Sequence, residues 1–597
     1  MLTYYMSPKT GKIGVSQSLR HSSPFSIQKF LKEWKWWISG ALISTVCSFA
    51  QLFGLQNLRW NLQVPSVYTG DELFSLFLVS RINDGWINFS GRSGYPFGSN
   101  LSDFPSSDNF LYLILKFISI FTQNSGTILN VFLLLGFVFT FIASYASFRY
   151  FNLNALFSFA ASFIFNFLPY HFDRLAHSFL TWYFVVPLYL VLGHFIFEGK
   201  GQKIQWTKIK SLGCLFLLAI IASSGVYYTL FGCLVIFFSA TIRLVNSQKI
   251  RELFFPILVL VWIGFITLLN VLPTILYRIT NGANQKVASR SFAESEIYGF
   301  KLVQLFLPRT NHRVEILSDI DVKYTTLTPL VNENSTAALG AIGAIGLVVS
   351  IIFLFLGAQK KPYDASIIYL ARLNLILILF GVIGGFGSIF AMTISSQFRA
   401  WNRISIYVAF LSILFFFYSL TYLGGKFLKR NSPLSAFFIS MICFLGFLDQ
   451  VPKYDSNNRN LTIQNYKIDK DFVTEIEKRL NGQGVIYQLP YMPFPEVPPL
   501  YKMDTYSQLT PIIISNSLIS NVAGMKGREV GDFYERLSLQ TINQQIEVLI
   551  KMGFDGIYLD KRGYADAGVG IADEIEGNKL MRWKISRLDG QISFYGF

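Results

Sequence analysis

What most constrains this chain is a succession of apolar blocks, each about as long as a bilayer core is thick. They fall at roughly 36–56, 127–148, 155–170, 178–197, 211–224, 226–244, 254–274, 336–357, 366–392, 404–424 and 434–449. A helix rises about 1.5 Å per residue, so about 20 apolar residues cross a hydrocarbon layer of roughly 30 Å. The run 211–244 is too long for one crossing and divides at Ser223-Ser224-Gly225. The blocks predict an all-α polytopic membrane protein of about 11 transmembrane helices. Composition agrees: 14% of the 597 residues are charged, against about 25% in soluble proteins. So few charges cannot cover the surface of a water-soluble enzyme of this size, and the apolar content excludes a disordered or fibrous chain.

The chain carries 51 Lys+Arg against 35 Asp+Glu, a net charge of +16. In a soluble protein that balance would suggest nucleic acid. Here no RNP, zinc-finger or helix-turn-helix pattern occurs, so no nucleic-acid partner is expected, and the cations flank the spans. The positive-inside rule orders them. Lys200/Lys203/Lys208/Lys210, Arg243/Lys249/Arg251, Lys360/Lys361 and Lys426/Lys429/Arg430 share one side with the basic N-terminus if residues 109–122 do not cross. That segment, NFLYLILKFISIFT, is short and carries Lys116 at its middle, so it is expected as an interfacial or re-entrant helix. Residues 1–35 are then a cytoplasmic segment with no cleavable signal. Residues 36–449 form the membrane module, with extracytoplasmic loops at 57–126 and 275–335. The expected location is the inner (cytoplasmic) membrane, multi-pass.

Residues 450–597 are expected outside as an α/β domain. Val485–Leu489 and Gly556–Leu559 read as strands. Ile542, Ile546, Leu549 and Ile550 recur at helical spacing within 540–552, and Gly553 follows as a C-cap. Two further strands are expected near 581–588 and 591–597, around Asp589-Gly590. Cys47, Cys214, Cys233 and Cys443 lie inside apolar blocks and read as small hydrophobes. The glycines of 340–346 and Gly381, Gly384, Gly385 and Gly387 read as close helix packing, and no Walker motif is present. Asn-x-Ser/Thr triplets at Asn88, Asn100, Asn334 and Asn460 lie in the outside segments, where polar composition alone supplies them.

The chemistry begins at Gly70-Asp71-Glu72, soon after the first span. Phe74, Phe77 and Leu78 share a helical face, so the two carboxylates open an amphipathic in-plane helix. Capping that helix is the plain reading. Their place at the membrane surface directly after span one favours a functional one. In the turn before span ten, Arg399 and Arg403 stand four apart and would share a helical face. They can bind phosphate oxygens, or anchor the span at the headgroups with Trp401. The turn 170–177 holds His171, Asp173, Arg174 and His177, readable as an acceptor or donor-phosphate site facing Asp71 or as a solvated turn in which Asp173 pairs with Arg174 or His177. Convergence of His171, Asp173 and His177 on a metal is conceivable, but the spacing matches no standard zinc pattern. In the second long loop, Arg290, Glu294, Glu296, Tyr298, His312 and Arg313 are candidates. Glu294 and Tyr298 would face together on a helix.

This layout resembles the GT-C superfamily of polytopic glycosyltransferases, which take sugars from polyprenyl-phosphate carriers. The resemblance covers about 36–424: Gly70-Asp71-Glu72 matches the acidic pair, 73–86 the first interfacial helix, and 109–122 a later one. It implies Asp71 as general base, with Glu72 as its support or as ligand of an optional divalent cation. For that chemistry Arg399, Arg403 and Arg174 are the candidates for the donor phosphate, and His171, Asp173, Glu294 and Tyr298 for the substrate. The implied activity is sugar transfer from a polyprenyl-phosphate donor to an envelope glycan, lipid or protein on the extracytoplasmic face, with the C-terminal domain binding acceptor or partner. A lipid-linked glycan flippase and a non-catalytic envelope scaffold are the rival readings. Sparse intramembrane charge and surface carboxylates favour the enzyme.

Overall fold

A computed structural model describes residues 31–54, 61–104, 106–203, 209–357, 365–423 and 433–597. The N-terminal residues 1–30 and the loop cations Lys208, Lys360, Lys361, Lys426, Lys429 and Arg430 lie outside them. Among the described residues eight helical segments are long and apolar enough to cross a membrane: Trp34–Phe53, Ser125–Tyr150, Ala155–Asp173, Leu175–Phe197, Val226–Ser247, Ile250–Asn281, Trp401–Leu423 and Pro433–Gln450. The other three expected blocks contain the shorter apolar helices Leu212–Ala222, Gly340–Phe355 and Ala365–Gly381. The chain is a mostly helical, multi-pass membrane protein with a small C-terminal sheet.

The block 366–392 is not one helix. It ends at Gly381 and restarts as Phe386–Thr393. Phe300, from the second long loop, enters the gap: its N–H donates to Gly381 O at 2.9 Å and its carbonyl accepts from Ile383 N at 3.0 Å. A Cβ on Gly381 would lie 2.3 Å from the Phe300 ring, and one on Gly387 2.5 Å from the Trp401 indole. These glycines make room for a loop and a tryptophan, not only for a neighbouring span. Gly346 does serve helix packing, since its Cβ would lie 1.9 Å from Ser412 O on the facing helix.

The first long loop carries two helices, α1 (Asp71–Asp84) and α2 (Asn109–Ser119). With 11 residues, α2 reaches only about 16 Å and cannot span. Its Leu111, Leu115 and Ile118 are buried, while Leu113 and Phe117 are exposed, a pattern suited to an interface. By contrast, α1 is not an interfacial helix with one bare apolar face. Leu73, Leu76, Phe77, Val79 and Ile82 are all buried. The C-terminal region supplies the cover: the Phe74 ring packs 5.3 Å from Tyr506 and 6.0 Å from Phe494. Arg81, also buried, donates to Ile87 O at 2.7 Å and Ser99 O at 2.9 Å and so folds the following loop around α1.

Residues 450–597 contain a five-stranded sheet. Its strands are β1 (Val485–Leu489), β2 (Ile519–Ser520), β3 (Gly556–Asp560), β4 (Trp583–Ser586) and β5 (Ile592–Gly596), in the order β2-β1-β3-β5-β4. β1 runs parallel to β2 and β3, while β5 is antiparallel to β3 and β4. Ile542–Lys551 forms the expected helix, opened by a Thr541–Gln544 capping box and followed by Gly553 at φ +84°. A longer helix, α3 (Ser456–Arg479), precedes the sheet.

Two buried polar knots fix the loops, one to this region and one to a span. Asp103 accepts from Arg528 at 2.6 and 2.8 Å and from Asn284 at 3.3 Å, joining first loop, C-terminal region and second loop. Asn130, buried in a span, accepts from Ser66 N and donates to the carbonyls of Leu62 and Val64. Both satisfy polar groups that burial would otherwise strand.

Candidate active site

Gly70 sits at φ +58°, where a side chain is disfavoured. Asp504, from the C-terminal region, accepts from Gly70 N at 3.0 Å and from the Thr69 hydroxyl. This turn sends the two neighbouring carboxylates in opposite directions. Asp71 stays half-exposed, its Oδ2 2.9 Å from His177 Nε2. Glu72 is fully buried and accepts from the Ser178 backbone N–H and hydroxyl. Burial pushes the Glu72 carboxyl up to about 8, against the hydrogen bonds of Ser178 and Ser75 that favour its ionised form.

Asp71 and His177 face a cavity of about 690 Å³. Arg290 from the second long loop, Arg399 and Arg403 from the turn before span ten, and Glu496, Val497 and Tyr506 from the C-terminal region complete its wall. Phe74, Leu78, Phe104 and Leu180 give it an apolar lining, and Asp108, at the start of α2, faces in as well. Asp108 accepts from Ser106 Oγ at 2.9 Å and Gly225 N at 2.7 Å, and burial raises its carboxyl.

The guanidiniums are pre-positioned. Arg399 pairs with Glu294 at 2.6 Å and lies over the Tyr298 ring at 4.9 Å. Arg403 lies over the Tyr227 ring at 4.4 Å and 3.5 Å from Glu333. Arg290 pairs with Glu496. Arg399 and Arg403 share no α-helix: the chain is irregular through Ala400 and makes a 3-10 turn from Trp401 to Ile404. Both reach the cavity all the same.

The other candidates are placed as follows. Glu294 and Tyr298 do face together, on one helical turn, and both meet Arg399 without lining the cavity. Arg174 is buried away from the cavity and bonds Glu333 at 2.5 Å, Asn402 at 2.8 Å and Thr336 at 2.9 Å. Asp173 pairs with Arg309 at 2.5 Å. His171 is buried, stacked on Phe137 at 3.6 Å, and bonded through Nδ1 to Tyr183 and Asn166. His171, Asp173 and His177 therefore do not converge, and Glu72 points into the core. Among the described residues no group of three His, Cys, Asp or Glu side chains gathers as for a metal ion. Asn334, one of the four Asn-x-Ser/Thr positions, is fully buried with its amide bonded to Gln304, Gly299 and Leu330.

Three groups were not singled out from sequence: Asp108, Glu496 and Glu333. Glu333 lies between Arg174 and Arg403. Burial works to raise its carboxyl, but Arg403 and Arg174 outweigh that and hold it well below the usual carboxylate range.

No family model and no curated protein matches the chain. Among solved structures, it is similar to the arabinofuranosyltransferase AftD from Mycobacteria (12% identity, TM-score 0.49, covering 96% of this chain and 40% of that one). It is also similar to ArnT from Cupriavidus metallidurans bound to undecaprenyl phosphate (10% identity, TM-score 0.48, covering 94% and 98%). A third is the Archaeoglobus fulgidus oligosaccharyltransferase in complex with Zn and sulfate (12% identity, TM-score 0.44, covering 94% and 73%). The chain thus spans two fifths of the mycobacterial protein's length.

Proposed function

We propose that the chain transfers a sugar from a polyprenyl-phosphate donor to a cell-envelope acceptor, on the extracytoplasmic face. One observation carries this reading. A half-exposed carboxylate, Asp71, shares a single cavity at the loop end of a membrane bundle with three guanidiniums, Arg290, Arg399 and Arg403. The acceptor oxygen bonds to the anomeric carbon as the bond from that carbon to the lipid phosphate breaks. The acceptor proton passes to Asp71, and the lipid phosphate departs with the bonding pair. His177 holds the Asp71 carboxylate in place and is suited to relay its proton. Arg399 and Arg403 meet the charge that builds on the phosphate. The apolar lining would take the first prenyl units.

General-base catalysis is worth about 10²–10⁴ in rate, so Asp71→Asn should cut transfer by about a hundredfold or more. The test is mass spectrometry of envelope glycans and lipid-linked sugars. A deletion strain would carry the wild-type chain or Asp71→Asn at matched membrane levels. Loss of a sugar with accumulation of a polyprenyl-phosphate sugar supports the reading and identifies the donor. Equal glycans from both strains remove Asp71 as the base and bring forward the flippase and scaffold readings.

A further inference from the structure

A second cavity, of about 790 Å³, opens beside the same 170–177 turn, with Leu175 facing it where His177 faces the first. Its walls come from the end of the first span (Gln51, Leu52), the second long loop and residues 452–462, where α3 begins. Arg309, Arg313, Lys453 and Arg459 line it, against a single carboxylate among its lining residues, Asp455. That carboxylate is engaged by the N–H groups of Asn457 and Asn458 at the start of α3.

The cations are poorly compensated. Arg309 has Asp173 and, at longer range, Asp321, yet its Nε and Nη1 are buried without a hydrogen-bond partner. Arg313 donates to the carbonyls of Val451 and Pro452, and Arg459 to those of Pro65 and Val64. Among the described residues neither these two nor Lys453 makes an ion pair. Arg459 is only 7% exposed, and burial holds its guanidinium below the ordinary value. A buried cation with only neutral partners is costly, and a concave site of one sign concentrates counter-charge. Guanidinium forks match phosphate oxygens, and the end of a span brings lipid headgroups within reach.

We propose that this second cavity binds a phosphate group, carried by a lipid headgroup or free in solution, separately from the cavity of Asp71. The proposal does not rest on the transferase reading.

The full chain in detergent would be examined by native mass spectrometry with phosphatidic acid and, in parallel, with phosphatidylcholine. Wild type should retain phosphatidic acid preferentially. Lys453→Glu, at an exposed side chain, should weaken that binding by about tenfold or more, and adding Arg313→Gln should weaken it further. The pair Lys551→Gln and Lys579→Gln, exposed and remote in the C-terminal region, lowers net charge equally and should leave binding unchanged. Inorganic phosphate forms the second arm. If it displaces the lipid in wild type, the phosphate group alone is recognised; if it does not, the site reads phosphate attached to lipid. Equal retention of both lipids, or equal binding by wild type and Lys453→Glu, overturns the proposal.

Discussion

Two adjacent carboxylates, Asp71 and Glu72, are made different by one left-handed glycine before them. Glu72 is held neutral by burial up to about pH 8, while an unfolded chain ionises near 4.5. Between those values the unfolded state releases a proton that the folded state keeps, so stability falls as pH rises. The melting temperature of wild type should therefore decline from pH 5 to 8. Glu72→Gln, which removes this titration, should decline less than wild type over that window and keep most of its transfer activity. Thermal unfolding in detergent at several pH values checks the first expectation, and a level wild-type curve would contradict it. The contrast bears on what a sequence can say. That Asp71, Arg399 and Arg403 stand at the ends of spans was legible, and they line one cavity. Which carboxylate faces the cavity was not, because that depends on Ser178 and Asp504, far away in the chain. The same holds for Glu333, whose partner Arg174 is 159 residues distant. His177, in a turn read as facing Asp71 with a metal as the lesser alternative, lies against Asp71.

At the scale of elements, the C-terminal region is part of the cavity's construction. Asp504 takes the Gly70 N–H and the Thr69 hydroxyl, Tyr506 lies on α1, and Glu496 meets Arg290. Removing the Asp504 carboxylate strands the Gly70 N–H and frees the turn that aims Asp71. A misplacement of about 1 Å can cost about a hundredfold in rate. Asp504→Ala should accordingly lower transfer by about ten- to a hundredfold per folded molecule, whereas Asp504→Asn, which keeps an acceptor oxygen for Gly70, should recover much of it. Equal loss in both, or none in either, would remove Asp504 as a positioning residue; sugar transfer at matched membrane levels reads the difference. The strands and the helix of this region were legible from local patterning: β1 falls on Val485–Leu489 as expected, and Gly553 closes its helix. The covering of α1 was not, because periodicity says that a face is apolar and not whether lipid or protein meets it. The break at Gly381 escaped for a related reason. An apolar run reads as one helix until Phe300, 81 positions earlier, is seen to occupy the gap.

For the molecule as a whole, charge and architecture bear on its orientation in the membrane. The span Val226–Ser247 begins with Val226 at the cavity and ends beside Lys249 and Arg251. At 22 residues it is about 33 Å long, so those cations lie a bilayer's thickness from Asp71. Leu175–Phe197 likewise runs from the cavity end, at His177, to Lys200. From the positive-inside rule we propose that the cationic end is cytoplasmic and that the cavity and sheet face outward. Single cysteines test this in a chain whose four native cysteines are replaced by serine. Leu588→Cys, where the side chain is 88% exposed in the C-terminal region, should react with a membrane-impermeant maleimide in intact cells. Lys249→Cys should react only after permeabilisation. The reverse pattern would turn the cavity toward the cytoplasm, where soluble nucleotide sugars are at hand, and a lipid-phosphate donor would lose its rationale. The expected pattern leaves Asp71 on the side where activated sugars are chiefly available attached to lipid. A cavity that pairs guanidiniums with an apolar lining at the membrane's edge is the form such a donor requires.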